Sequence, residues 1–257
     1  IDEMGTIVWE KSFGFAGHDH AYNIIQTPDG GFFFNGFLDV TASGGAGQDG
    51  KAFSSNRHGV GEFWAQKIDD DGNLIWRNYY GGTNNDRSYD AILTSDGNYL
   101  LVGTSESQDV DISQPKGSYD IWVVKINNKG KLLWERSFGG SSFDRAASVI
   151  EYPLGNYIIA GQSLSSDGDI IQPKGNSDIL LVELNNDGSQ SFVKNLGGPN
   201  FDSGEDLIPT QQGSILVLGT THSKEIEVSS NVVSQTNENT ASILYEIFPF
   251  NRETKTY

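Results

Sequence analysis

A passage of 58 residues is repeated along this chain, and the repeat constrains the architecture more than any single residue does. Trp76, Trp134 and Phe192 follow one another at steps of 58, while Trp9 precedes Trp76 by 67 because the first copy carries a longer loop, Asp39 to Gly61. The two middle copies begin "GNLIWRNYYGG" at Gly72 and "GKLLWERSFGG" at Gly130, and a fourth runs on from Phe192 in degraded form. A period of this length marks supersecondary units that cannot bury an apolar face alone and must pack on one another. A continuous repeat without linkers reads as one cooperative domain over residues 1–257, with copies at about 10–76, 77–134, 135–192 and 193–257.

Within the copy from Gly72, "NLIWRNYY", "SYDAILTS", "NYLLVGTS" and "YDIWVVKIN" are rich in β-branched and aromatic residues, and Asp96-Gly97 supplies a hairpin turn between the second and third. This predicts a four-stranded antiparallel meander. The run Ile121 to Ile126 is almost wholly apolar, as expected of a strand covered on both faces. Four-stranded sheets buried on both sides are the blades of a β-propeller, and 58 residues is too long for one coil of a β-helix. The expected fold is all-β: a β-propeller of four four-stranded antiparallel blades. The Gly-x-x-x-Trp strand occurs at Gly5–Trp9, Gly72–Trp76 and Gly130–Trp134 and weakens at Gly188–Phe192. The N-terminal strand is therefore expected to complete the last blade as a closing clasp. A real strand at Glu253–Tyr257 would compete for that slot and make the chain part of a larger propeller.

The chain has 34 acidic and 17 basic residues, a formal charge of −17, which opposes nucleic acid and anionic lipid as partners. No apolar run approaches the roughly 18 to 20 residues of a membrane-spanning helix, so no transmembrane segment is expected. The start at Ile1 fits a trimmed signal peptide or a cut from a longer chain. The absence of cysteine excludes disulfides, thiol chemistry and cysteine-ligated zinc.

Some polar positions recur. Asp19, Asp86, Asp144 and Asp202 share one repeat position beside a glycine-containing turn, where a carboxylate is expected to accept backbone N–H groups. Asp109 and Asp111, Asp167 and Asp169, and Glu225 and Glu227 form alternating acidic pairs, with Glu62, Asp120 and Asp178 opening the next strand. Asp109, Asp111, Asp167 and Asp169 are the calcium candidates. Without an EF-hand or β-roll ligand pattern, solvated acidic loops are the expectation, with no metal and no cofactor. His18 and His20 would share a face in a strand but have no third ligand assigned. No Ser-His-Asp order, phosphate loop or distinctive carboxylate pair emerges, so no catalytic residue is assigned and the chain reads as a non-enzyme.

The segments "FGGSSFDRAASVI", "TSDGNYLLVGTSES" and "GSYDIWVVKINNKGKLLW" resemble the repeats of exported β-propeller proteins widespread in Bacteroidota. The resemblance runs from residue 1 to about 250 and is most specific in the middle copies. The first copy departs at Gly14-Phe15 and in its long loop, and the fourth has Thr240–Ile247 in place of the Asp-x-Trp strand. The resemblance implies a propeller and a periplasmic, outer-membrane-associated or extracellular address, and does not imply an activity. Many members are cargo of the type IX secretion system with a sorting domain. No such domain is legible here, which leaves a trimmed propeller from a larger secreted protein or a self-contained envelope protein, the second opening a role as an accessory or plug-like subunit of the outer-membrane type IX translocon. The expected function is a non-enzymatic protein–protein interaction module of the bacterial cell envelope or exterior. Its specificity belongs in copy-specific features: the Asp39–Gly61 loop with Phe53, Arg57 and His58, and the stretch from His222 to Asn239. The rival is a carbohydrate-binding or carbohydrate-active propeller that stacks sugars on Trp64, Trp122 or Tyr80.

Overall fold

The computed structural model describes residues 1–42, 58–152, 155–224, 232–237 and 240–247. Among these there is no helix, and sixteen strands form four four-stranded antiparallel sheets. They group into two compact units, Ile1–Phe138 and Gly139–Tyr257.

In the first unit, sheet 1 contains β1 (His20–Gln26), β2 (Phe32–Leu38), β3 (Glu62–Ile68) and β4 (Leu74–Tyr80), paired in chain order. Sheet 2 repeats it with β5 (Asp86–Leu93), β6 (Tyr99–Ser105), β7 (Asp120–Ile126) and β8 (Leu132–Phe138). The Trp strand pairs backwards, with Lys67 opposite Trp76 and Lys125 opposite Trp134. A meander counted from Gly72 therefore takes its first strand from one sheet and the other three from the next. The reason is local: the Asp69–Gly72 turn folds β4 straight back on β3, with Asp69 N–H donating to Asn73 O at 2.9 Å and Gly72 at φ 76°.

Sheet 1 packs on sheet 2 through Phe33, Phe63, Ala65, Trp76 and Tyr80 against Ala91, Tyr99, Leu101, Trp122 and Val124. Phe33 stacks on Tyr99 with centroids 4.0 Å apart, and Phe63 meets Trp122 edge-on at 4.6 Å. A second cluster, Phe34, Leu38, Val40, Trp64, Ile68 and Tyr79, occupies the other face of sheet 1. β6 and β7 are buried at every position, as their continuous apolar runs require.

In the second unit, sheet 3 contains β9 (Asp144–Tyr152), β10 (Asn156–Ser163), β11 (Asp178–Leu184) and β12 (Gln190–Leu196). Sheet 4 contains β13 (Asp202–Pro209), β14 (Ile215–Thr221), β15 (Val232–Asn237) and β16 (Thr240–Ile247), in the order β13-β14-β16-β15. Thr240–Ile247 thus takes the place of the Asp-x-Trp strand, beside β14. The expected clasp is overturned, because β15 fills the outer slot of sheet 4 and residues 1–19 form no strand. A strand at 253–257 lies outside the described residues.

Two scaffold devices recur. Each sheet's first strand carries a bulge, at Tyr22, Tyr89, Ala147 and Glu205, where the pairing register skips one residue. The lysine of the Asp-x-Trp-x-x-Lys strand reaches over the first hairpin to the turn aspartate, Lys67 to Asp29 and Lys125 to Asp96. In the second unit glutamate replaces it: Glu183 accepts from Asn156 Nδ2 at 3.1 Å and Glu246 from Ser214 Oγ at 2.6 Å.

Candidate functional site

The repeated aspartates hold turns together. Asp86 Oδ2 accepts from the Gly82 amide at 2.8 Å and Ser107 Oγ at 2.9 Å. Asp144 repeats this with Gly140 and Ser165, and Asp202 with Gly198 and Ser223, each bond at 2.8 Å. Asp19 keeps the bond from the amide four residues before it, that of Phe15, and takes the Asp39 amide where the others have a serine hydroxyl.

The alternating acids of the loops serve the same turns. Asp109 accepts from the Thr83 amide at 2.9 Å and its hydroxyl at 3.0 Å, and Asp111 from the Gly81 amide at 3.2 Å. Asp167 and Asp169 do likewise for Ser141 and Gly139. Among the described residues no group of three or more His, Asp or Glu side chains is placed to hold a metal ion. Glu225 and Glu227 lie outside the described residues.

Between sheets 1 and 2 these acids crowd together. Glu62 is fully buried, accepts from the Gly59 amide at 3.0 Å, and has His58 Nδ1 at 3.2 Å from Oε2. Burial, then the charge of Asp86, push Glu62 well above the ordinary carboxyl range, with Asp111 and Asp109 adding to the effect against the Gly59 hydrogen bond. Burial likewise raises Asp86 to about 6, against hydrogen bonds from Ser105, Gly82 and Ser107. Both shifts favour the protonated carboxyl at this junction.

The features confined to the first copy gather at one end of sheet 1. The long loop leaves after Leu38 and returns at His58, and its two stems are tied by Thr41 Oγ1 donating to Gly59 O at 3.1 Å. The returning stem is fastened to sheet 2 in a way the second unit repeats with Asp202 N–H donating to Ser177 O at 2.8 Å: here the Gly59 amide donates to Gly82 O at 2.7 Å and Asp86 N–H to Gly61 O at 2.8 Å. Only glycine fits here, since a Cβ at Gly59 would stand 2.2 Å from Thr83 O. Beside the stems a cavity of about 330 Å³ is lined by His18, His20, Phe37, Asp39, Val60, Asn85 and Arg87. The Arg87 guanidinium lies 4.9 Å over the Phe37 ring, and His20 flanks the same ring at 6.2 Å. The cavity thus brings two imidazoles, a guanidinium, a carboxylate and an aromatic ring to one place.

Of the residues singled out from sequence, His58 turns inward, toward Glu62 and edge-on to Tyr79 at 4.8 Å. Its loop neighbours Phe53 and Arg57 lie outside the described residues. His222 is exposed beside Phe201, rings 5.6 Å apart. Trp64, Trp122 and Tyr80 are buried, so none offers a face for sugar stacking. The cavity residues His18, His20 and Arg87 were not assigned a role by the sequence, although a signal exists. His20 and Arg87 each come one residue after the repeated aspartate, which places them at matching ends of neighbouring first strands.

No protein-family model and no curated protein matches the chain. Among solved structures, a protein of unknown function from Bacteroides caccae aligns at 14% identity with a TM-score of 0.44, over 84% of this chain and 58% of its own. The tail fiber of Staphylococcus aureus phage P68 aligns at 11% identity with a TM-score of 0.29, over 93% of this chain and 52% of its own. The chain thus spans little more than half the length of the solved structures it matches.

Proposed function

We propose that the chain is a non-enzymatic protein-binding module whose four sheets are the blades of a β-propeller, and that it engages its partner at the loop end of sheet 1. The observation that carries this reading is the clamped loop base beside the His18, His20 and Arg87 cavity. The repeated carboxylates are spent on turns, whereas this end bears groups that no other copy supplies together. A long insertion on rigid stems next to a polar cavity with an aromatic floor is a common form of recognition surface. The resemblance of the repeats to exported Bacteroidota propellers supports a place in the bacterial envelope or exterior, and an accessory role at the outer-membrane type IX translocon is its narrower form.

Shortening Asp39–Gly61 to the length of the Glu106–Ser118 loop tests the reading, alongside Arg87→Ala and His18→Ala. The fold should persist by circular dichroism while co-purification with the native envelope partner is lost in the deletion and weakened in the point variants. Undiminished co-purification in all three would place the interface elsewhere, with His222 the next position to alter.

A further inference from the structure

The first thirteen residues form no strand, yet they reproduce half of a sheet. Asp2 N–H donates to Thr6 O at 2.9 Å, Gly5 N–H to Asp2 O at 3.0 Å, and Gly5 sits at φ 81°. Asp2 Oδ1 accepts from the Met4 and Thr6 amides at 2.9 and 2.8 Å. The turn joining β7 to β8 has the same set: Asn127 N–H to Lys131 O and Gly130 N–H to Asn127 O, both 2.9 Å, Gly130 at φ 76°, and Asn127 Oδ1 accepting from Lys129 and Lys131. Residues 2–5 are therefore folded as the turn between a third and a fourth strand, and Ile1 stands where Ile68 and Ile126 end theirs.

Residues 6–13, beyond the turn, lie on sheet 1 as β4 lies on sheet 2. Trp9 Nε1 donates to Asp70 O at 3.1 Å, and Trp76 Nε1 to Asn128 O at 2.9 Å. The Trp9 ring meets Phe32 at 6.5 Å and lies against Gly72, while the Trp76 ring meets Tyr99 at 6.4 Å and lies against Gly130. Phe13 continues the match, 5.1 Å from Phe34, at the position of Tyr80. The difference is in cover. Trp76 is 9% exposed and Ala91 2%, whereas their counterparts Trp9 and Ile24 are 38% and 65% exposed. Between them Trp9, Phe13, Tyr22, Ile24 and Phe34 border an apolar groove of about 370 Å³.

We infer that residues 6–13 are the outer strand of a further sheet of this same repeat, and that this sheet packs on the groove as sheet 1 packs on sheet 2. The occupant is a three-stranded antiparallel sheet whose third strand runs into the Asp2–Gly5 turn. A second copy of the chain does not supply it from sheets 1 to 3, where every third strand is already paired on both sides. The inference rests on packing inside residues 1–138 and is independent of the partner-binding reading.

Placing a copy of residues 83–126 ahead of Asp2, so that Ile126 stands in for Ile1, tests it in the full chain. Alternate amides between Ile7 and Phe13 should exchange at least about 100-fold more slowly than in the unextended chain, a contrast expected when an exposed segment joins a sheet. Quenching of Trp9 fluorescence by acrylamide, read in a variant with the other four tryptophans replaced by phenylalanine, should fall several-fold. An extension carrying the same residues in scrambled order should do neither. The inference is overturned if the repeat extension leaves these amides and Trp9 unchanged. It is equally overturned if residues 7–13 are already protected in the unextended chain, whether as a monomer that fills the slot itself or as a dimer.

Discussion

Replacing Asp86 with asparagine should stabilise the protein above pH 6 and leave it nearly unchanged near pH 4. Asp86 is fully buried, and one oxygen already serves the Gly82 amide and the Ser107 hydroxyl, a role the asparagine carbonyl can take over. Burial raises its pKa from an ordinary 3.8 to about 6. A gap of about two units corresponds to roughly 3 kcal/mol, taken as an upper figure. The native form holds a proton that the unfolded chain has released between those two values, so native binding exceeds unfolded binding and stability falls as pH rises. The loss begins near pH 4, is complete once pH passes the folded pKa, and is absent in Asp86→Asn. Removing the Asp86 charge also relieves Glu62, whose second-largest upward influence it is. Urea midpoints by far-UV circular dichroism at half-unit steps from pH 4.5 to 7.5 would give the difference curve. A difference that stays flat, or one in which the unaltered protein gains on the variant as pH rises, would refute the account and point to a bound cation at the junction.

The same geometry sets other expectations. Trp76→Ala should cost about 3 to 5 kcal/mol, and Trp9→Ala less than half of that because its ring is only partly covered; equal shifts in denaturant midpoint would mean that the two sites are not graded by burial. Chelation with EDTA should leave the melting temperature unchanged, and a fall reversed by calcium would make sites of Asp109/Asp111 and Asp167/Asp169. Asp96 is partly buried, yet hydrogen bonds from Lys125 and Thr94 hold it down at about 2. The stability it contributes is present above pH 4 and lost as pH falls through 2, and Asp96→Asn should remove that slope in acid titrations.

Most strands were legible because apolar runs and Asp-Gly turns are local signals, and the 58-residue step repeats them from copy to copy. The partner of the Trp strand was harder to read. Both "DDDGN" at Asp69 and "TSDGN" at Thr94 are hairpin signals, and a count begun at Gly72 cuts through the first of them. β15 was missed for another reason: copy four has no Asp-x-Trp text, so nothing in the repeat indicates a strand inserted out of order. The His18, His20 and Arg87 cavity depends on 67-residue separations across two sheets, and periodicity places such residues in register without saying that they share a space. Its one readable trace was that His20 and Arg87 come directly after the same repeated aspartate.

The change from lysine to glutamate over the first hairpin bears on how near-identical repeats avoid one another's partners. A chain that carries its strand set several times invites exchange between copies during folding, and between molecules at high concentration. If β11 took the place of β7, Glu183 would face Asp96 and two carboxylates would meet where an ion pair belongs. If β7 took the place of β11, Lys125 would lose its aspartate and face Asn156. The sign of one side chain per sheet thus acts as an address, penalising a strand delivered to the wrong unit.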